Sequence, residues 1–173
     1  MAAGDLELSK LTRAWDRSQF KCGRSELDDW LRRYAMQSQE ADLARTFVLL
    51  EESETPGIKR IIGYFSLTMS SVRRDEVPDE LARRVPRHPI GVVLLARLAV
   101  DESAQGRGLG KDLLNLALRR AVQAGDIVAA RLIVVDALDD EAESFYRRYG
   151  FQSLPDVPRR LFLRMQDVMA SFE

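Results

Sequence analysis

Residues Val92 to Arg120 read VVLLARLAVDESAQGRGLGKDLLNLALRR, and a strand, a turn and a helix follow one another within that stretch. Val92 to Val100 is a short apolar run with β-branched valines at both ends, which predicts a buried strand. A polar loop, Asp101 to Ala104, leads into Gln105-Gly106-Arg107-Gly108-Leu109-Gly110. After the last glycine, Leu113, Leu114, Ala117, Leu118 and Ala121 share one helical face, with Asp112, Asn115, Arg119 and Gln123 opposite. A strand, a glycine-rich turn and a helix N-terminus in that order form an anion-binding arrangement. The glycines let backbone approach a phosphate, and the free N–H groups of the first helical turn point at it. No Lys-Ser/Thr pair closes the turn, so it is not a P-loop. The spacing Gly106-x-Gly108-x-Gly110 also departs from the dinucleotide pattern G-x-G-x-x-G.

The rest of the composition sets bounds. A chain of 173 residues with 46% hydrophobic and 31% charged content is that of one globular domain, 1–173, able to bury a core unaided. One cysteine, Cys22, excludes an internal disulfide and a cysteine-cluster zinc site. One histidine, His88, lies between Pro86 and Pro89 and reads as a solvated loop residue rather than a catalytic base. No apolar run approaches the roughly 20 residues of a membrane span, and no signal-peptide core opens the chain, so a cytoplasmic protein is expected. The net charge of −1 does not advertise nucleic acid. Arginines nonetheless come in pairs, Arg73-Arg74, Arg83-Arg84, Arg119-Arg120, Arg147-Arg148 and Arg159-Arg160. They make either a local basic patch or scattered solvated charges.

Taken in order, Leu6 to Thr12 alternates weakly as a first strand. Ser25 with Asp28 fits a capping box, after which Leu27, Trp30, Leu31 and Tyr34 fall on one helical face. Thr46 to Leu50 and Ile61 to Met69 read as strands joined through Pro56-Gly57, with Gly63 marking a bulge or a close approach. A short helix spans Pro78 to Arg84. Ala130 to Val135 is another buried strand, and Glu141 to Tyr149 a helix stopped by Gly150 as a left-handed cap. Phe151 opens a strand, Leu161 to Arg164 makes another, and Met165 to Phe172 is a terminal helical turn or two. The order predicts an α/β fold with a mixed central sheet flanked by helices.

Gln105 to Gly110 matches the Q/R-x-x-G-x-G/A signature, and Ala142-Glu143-Ser144-Phe145-Tyr146-Arg147-Arg148-Tyr149-Gly150-Phe151 matches A-x-x-F-Y-x-x-x-G-F. With both motifs in order, the chain resembles the GNAT superfamily of N-acetyltransferases over essentially its whole length. The resemblance implies the GNAT fold, with acetyl-CoA bound where central strand, turn and helix meet. Gln105, Gly106, Arg107, Gly108, Leu109, Gly110 and Lys111 would hold its pyrophosphate, and a backbone amide among Leu98, Ala99 and Val100 would face the oxyanion. Tyr146 stands where the family has its catalytic tyrosine, placed to protonate the leaving thiolate; as packing aromatics, Phe145 and Tyr149 fit better. No metal is implied. Where many members carry an asparagine, this chain has Asp136-Ala137-Leu138.

Phe20-Lys21-Cys22-Gly23, Leu27-Asp28-Asp29-Trp30-Leu31 and Ala96-Arg97-Leu98-Ala99-Val100-Asp101 look most like the GNAT toxins of bacterial toxin–antitoxin modules. Those toxins acetylate the α-amine of aminoacyl-tRNA and block translation. The resemblance implies charged tRNA as acceptor, a small ribbon-helix-helix antitoxin as partner and a possible homodimer. Arg73, Arg74, Arg83 and Arg84 are then expected to hold the tRNA. The alternatives are an acetyltransferase for a small-molecule or protein amine, and a non-catalytic acyl-CoA-binding module, against which Tyr146 and the intact turn argue.

The absence of a strong base bears on the choice of amine. Asp101, Glu102 and Asp136 are weak bases, and the attacking nitrogen must be neutral. A lysine amine of pKa about 10.4 is free about 0.04% of the time at pH 7, an α-amine near 7.8 about 14%. That difference of roughly 350-fold favours an α-amine.

Overall fold

The structure, a computed structural model, describes residues 5–173. Its strands are β1 (Glu7–Lys10), β2 (Arg45–Glu52), β3 (Lys59–Val72), β4 (Ile90–Val100), β5 (Leu132–Asp136), β6 (Gln152–Ser153) and β7 (Arg160–Arg164), hydrogen-bonded in the order β1-β2-β3-β4-β5-β7-β6. The sheet is mixed, as expected. β1 with β2 and β2 with β3 are antiparallel, β4 with β5 parallel, and β5 with β7 and β6 with β7 antiparallel. A parallel pair needs a crossover, and α4 (Leu109–Ile127) is the helix between β4 and β5 in the chain.

The chain divides into two compact units, Met1–Thr68 with Arg97–Ala117, and Met69–Ala96 with Leu118–Glu173. The first is built on a helical stretch that the sequence read as one helix. It is three pieces, α1 (Ser25–Asp29), a π-helical turn Trp30–Tyr34 and α2 (Ala35–Glu40). The widened turn changes the phase of the apolar face. Leu31 and Ala35 are fully buried against Val48, Leu50, Ile61 and Tyr64, while Tyr34, expected on that face, is 53% exposed. The expected capping box is also absent. Arg24 occupies the N-cap without a side-chain cap bond, and the buried Asp28 accepts the Cys22 N–H at 2.8 Å instead.

The bulge expected at Gly63 is present. Leu49 faces Gly63 and Leu50 faces Ile61, leaving Ile62 as the extra residue on β3. The close approach is present too. A methyl group on Gly63 would lie 3.2 Å from both the Ala99 carbonyl oxygen and Leu113 Cδ2.

In the second unit, Val72, Val77, Leu81, Ile90, Val92, Leu132, Val134, Leu154 and Phe162 form the core. The helix expected over Pro78 to Arg84 is shorter: α3 (Asp79–Ala82) follows Pro78 at its N-cap. α5 (Asp140–Arg148) starts from Asp139, whose carboxylate accepts the Ala142 N–H at 2.9 Å. It ends at Gly150, whose φ of +93° is the left-handed cap expected there. α6 (Met165–Ser171) packs Met165 so closely on α4 that a methyl on Gly125 would meet its Cε at 2.8 Å. Among the described residues no helix is long and apolar enough to cross a membrane.

Candidate active site

The first unit carries the glycine turn, and the chain around it is heavily tied. Asp101, at the end of β4, accepts hydrogen bonds from the Lys21 N–H at 2.9 Å, the Ser103 N–H at 3.0 Å and the Ser103 hydroxyl at 2.5 Å. Its own N–H donates to the Ile62 carbonyl at 2.8 Å. The Gln105 side-chain amide donates to the Val100 and Cys22 carbonyls, so this residue braces the turn with its side chain. Gly106 and Gly108 take φ values of +80° and +75°, and a methyl on either would meet nothing within 4 Å. The backbone of the turn is therefore open on the side where the glycines lack side chains. α4 begins at Leu109 rather than after Gly110. Leu109 is buried as an anchor, and Gly110 and Lys111 lie in the first helical turn, where N–H groups have no intrahelical partner.

Charge gathers beside this turn. Glu51 on β2 accepts from Arg107 at 2.8 Å and from Arg60 at 3.0 Å, and Arg60 also donates to the Ser103 hydroxyl at 2.7 Å. The two guanidiniums, Arg107 foremost, hold the Glu51 carboxyl below its usual range. Two cations on one carboxylate leave positive charge in excess, which suits a polyanionic ligand. Sequence reading found Arg107 but missed Glu51 and Arg60, because nothing local joins residues 56 positions apart. On β4, Ala99 is buried, and Leu98 and Val100 are partly buried.

Tyr146 belongs to the second unit. The sequence favoured Phe145 or Tyr149 for packing, yet Tyr146 is the most buried of the three at 6% exposure. Its ring meets Phe145 and Phe151 edge-on, at 5.2 Å and 5.3 Å between centroids. The hydroxyl makes no hydrogen bond among the described residues, and burial pushes its pKa well above the ordinary tyrosine value. It is a neutral donor throughout the physiological range.

Of the three carboxylates considered as bases, two are firmly engaged and Glu102 is exposed. Asp101 holds three donors, Glu102 lies 3.9 Å from Lys21, and Asp136 receives the Arg160 fork at 2.7 Å and 3.0 Å. Asp136, which stands where the resemblance implies an asparagine, is thus occupied by Arg160. His88 is exposed. Among the described residues no group of three His, Cys, Asp or Glu side chains is placed to hold a metal.

The four arginines expected to hold tRNA surround one segment of the second unit. Arg83 and Arg84 line a cavity of about 840 Å³ with His88, Arg131 and Arg164. Arg73 and Arg74 line a second cavity, about 560 Å³, with Arg87 and His88. They are not equivalent. Arg73, exposed like Arg83 and Arg84, pairs with Asp75 at 3.1 Å, and the half-buried Arg74 donates to the Ala82 carbonyl at 3.0 Å. Arg131 and Arg164, missed in the sequence, join them only through the folding of β5 and β7.

Residues 42–153 match the family model described as the acetyltransferase (GNAT) domain. The chain belongs to the GNAT acetyltransferase family. It is 38% identical over 161 residues, 93% of each chain, to the tRNA-acetylating toxin of Mycobacterium tuberculosis. Among solved structures it is similar to AtaT complexed with acetyl-methionyl-tRNAfMet, with a TM-score of 0.88 and 28% identity over 98% of this chain and 100% of that one. It is also similar to a tyrosine-to-phenylalanine mutant of AtaT bound to acetyl-CoA and the C-terminus of the antitoxin AtaR. There the TM-score is 0.80 and the identity 26%, over 97% of this chain and 98% of that one. For this GNAT acetyltransferase, fold and enzyme class agree with the expectations drawn from its two motifs.

Proposed function

We propose that this chain transfers the acetyl group of acetyl-CoA to the α-amine of aminoacyl-tRNA, as the toxin of a cytoplasmic toxin–antitoxin pair. The observation that carries the reading is the 38% identity, over 93% of both chains, to a tRNA-acetylating toxin. The same reading takes 1–173 as one acetyltransferase domain, with a small ribbon-helix-helix antitoxin as partner and a homodimer as its assembly.

Acetyl-CoA supplies a thioester carbonyl activated toward a neutral amine. The open backbone at Gly106 and Gly108, with the first-turn N–H groups of α4 and Lys111, holds the pyrophosphate. A strand amide among Leu98 to Val100 donates to the carbonyl oxygen as it gains charge. Tyr146, kept neutral by burial, gives its proton to the departing sulfur, and the proton shed by the acylated nitrogen restores the tyrosine. Asp101 and Asp136 are held by other donors and Glu102 is exposed beside Lys21, which suits an α-amine already partly free at neutral pH.

The test is incubation with labelled acetyl-CoA and total charged tRNA, followed by RNase digestion and mass spectrometry. Acetyl-aminoacyl-adenosine is expected, with uncharged tRNA untouched. Labelling of lysine side chains or polyamines alone would leave a small-molecule or protein amine as the substrate.

A further inference from the structure

Arg97 interrupts the apolar run of β4, and its position in the first unit is built rather than incidental. Its guanidinium carbon lies 4.2 Å from the centroid of the Trp30 ring. Trp30 stacks on Tyr64 at 6.1 Å and 13°. Tyr64 is fully buried, met edge-on by Phe20 and fixed by donation of its hydroxyl to the Leu27 carbonyl at 2.7 Å. The π-helical turn that begins at Trp30 sets that ring on its support. Arg97 itself is partly buried, and among the described residues no carboxylate pairs with it. The contrast within the same unit is direct, since Arg60 and Arg107 share Glu51. Burial pulls the Arg97 guanidinium below its ordinary range, the mark of a cation short of an anion.

A guanidinium laid on an aromatic face keeps its N–H edge for a ligand. That edge matches the paired oxygens of a phosphate, and little side-chain freedom is left to lose on binding. We propose that Arg97, seated on Trp30, binds the phosphodiester that joins the aminoacylated terminal adenosine to the rest of the acceptor tRNA. The proposal rests on the tRNA reading above. Arg97 directly precedes Leu98 to Val100 on β4, so the strand that presents this cation is the one whose next residues are assigned to the carbonyl oxygen. On an aminoacyl-tRNA the anion nearest the reacting amine is that phosphodiester, which keeps its charge throughout the neutral range. Lysine side chains and polyamines bring further positive charge to the same place and are disfavoured.

The experiment compares two acceptors in acetyl-transfer kinetics: an aminoacyl ester of adenosine, which has no phosphate, and the same aminoacyl ester on a CCA trinucleotide. Replacing Arg97→Gln should raise KM for the trinucleotide about 10–100-fold with kcat within about twofold, the size of one charged hydrogen-bond pair. KM for the adenosine ester should be unchanged. Arg97→Lys, which keeps the charge and loses the fork, should fall between, and it carries the comparison if Arg97→Gln fails to fold. Equal losses on both acceptors, or no loss on either, would overturn the assignment. So would acetylation of free amino acids that depends on Arg97, which would make the anion a carboxylate. If the wild-type protein acetylates no charged tRNA, the tRNA reading itself fails, and that failure is visible before any variant is made.

Discussion

The side-chain amide of Gln105 donates to the Cys22 carbonyl at 2.8 Å, tying the entrance of the glycine turn to a loop 83 residues earlier in the chain. The same amide donates to the Val100 carbonyl at 3.0 Å. One side chain thus fixes the last residue of β4, the turn and the loop before α1 in a single geometry.

Replacing Gln105→Ala leaves both carbonyls without that donor. Stability should fall by about 0.5–1.5 kcal/mol, the net worth of a hydrogen bond at a site that water reaches. Affinity for acetyl-CoA should weaken about tenfold as the turn loosens, and the two are read by urea unfolding and calorimetry. Unchanged affinity in a destabilised variant would limit Gln105 to a role in folding.

Gly108 has a φ of +75° with open space where a side chain would go. Gly108→Val forces a branched residue into a conformation it avoids and fills the space assigned to the pyrophosphate. Acetyl-CoA binding should be lost while the circular dichroism spectrum is kept. Calorimetry finding wild-type affinity in the folded variant would remove the pyrophosphate from this turn.

The Tyr146 hydroxyl has no hydrogen-bond partner in the described residues, so Tyr146→Phe removes a donor that the fold does not use. The melting temperature should hold within a degree or two, and turnover should drop about 10²–10⁴-fold. Near wild-type turnover, measured where chemistry limits the rate, would take the proton donor's role away from Tyr146.

Cys22 makes the fold sensitive to alkali. Burial, followed by the hydrogen bond with Asp28, pushes its thiol up from 9.0 to about 11. Well below pH 9 the thiol is protonated whether the chain is folded or not, and it contributes no pH dependence. Between pH 9 and about 11 the unfolded chain ionises first, so the stability this thiol contributes is lost as pH rises. Cys22→Ala should flatten the urea midpoint against pH in that window, and equal slopes in both proteins would assign the loss to other groups.

The paired arginines should separate into two classes. Arg83 and Arg84 are exposed beside the larger cavity, so Arg83→Gln with Arg84→Gln should weaken tRNA binding and lower its salt slope by about 0.7–0.9 for each phosphate no longer neutralised. Arg73 already faces Asp75 and Glu76, so Arg73→Gln should change the slope less. Identical effects from the two replacements would make the patch a diffuse field rather than a set of discrete ion pairs.

How far the sequence could be read follows from the range of the forces involved. The glycine turn, the strand before it, the Gly150 cap and the Gly63 bulge depend on a residue's own conformational limits or on its nearest neighbours, and they stood where expected. The π-helical turn at Trp30 was missed, because Leu27, Trp30, Leu31 and Tyr34 keep helical spacing in the text of the sequence while the widened turn rotates Tyr34 outward. Asp28 looked like a cap partner for Ser25, but the fold brings Cys22 N–H to it. Glu51, Arg60 and Arg131 had no local signature at all. Arg97 had one, a lone charge in an apolar strand, although nothing in the sequence said that Trp30 would lie beneath it.

Gly63 sets a shared tolerance for two structures that have no chemistry in common. The missing methyl lets the backbone of β3 sit against the Ala99 carbonyl on β4 and Leu113 on α4, each 3.2 Å from where that methyl would be. α4 is the helix whose opening turn carries Gly110 and Lys111, so a few tenths of an ångström at a core strand translate into the aim of the N–H groups beyond it. Substitution here is not a private matter of the core. Enlarging residue 63 presses on the Ala99 backbone as well as on Leu113, so trimming Leu113 relieves only one of the two contacts and the strand must still shift. Core volume and ligand affinity are inherited together at this position.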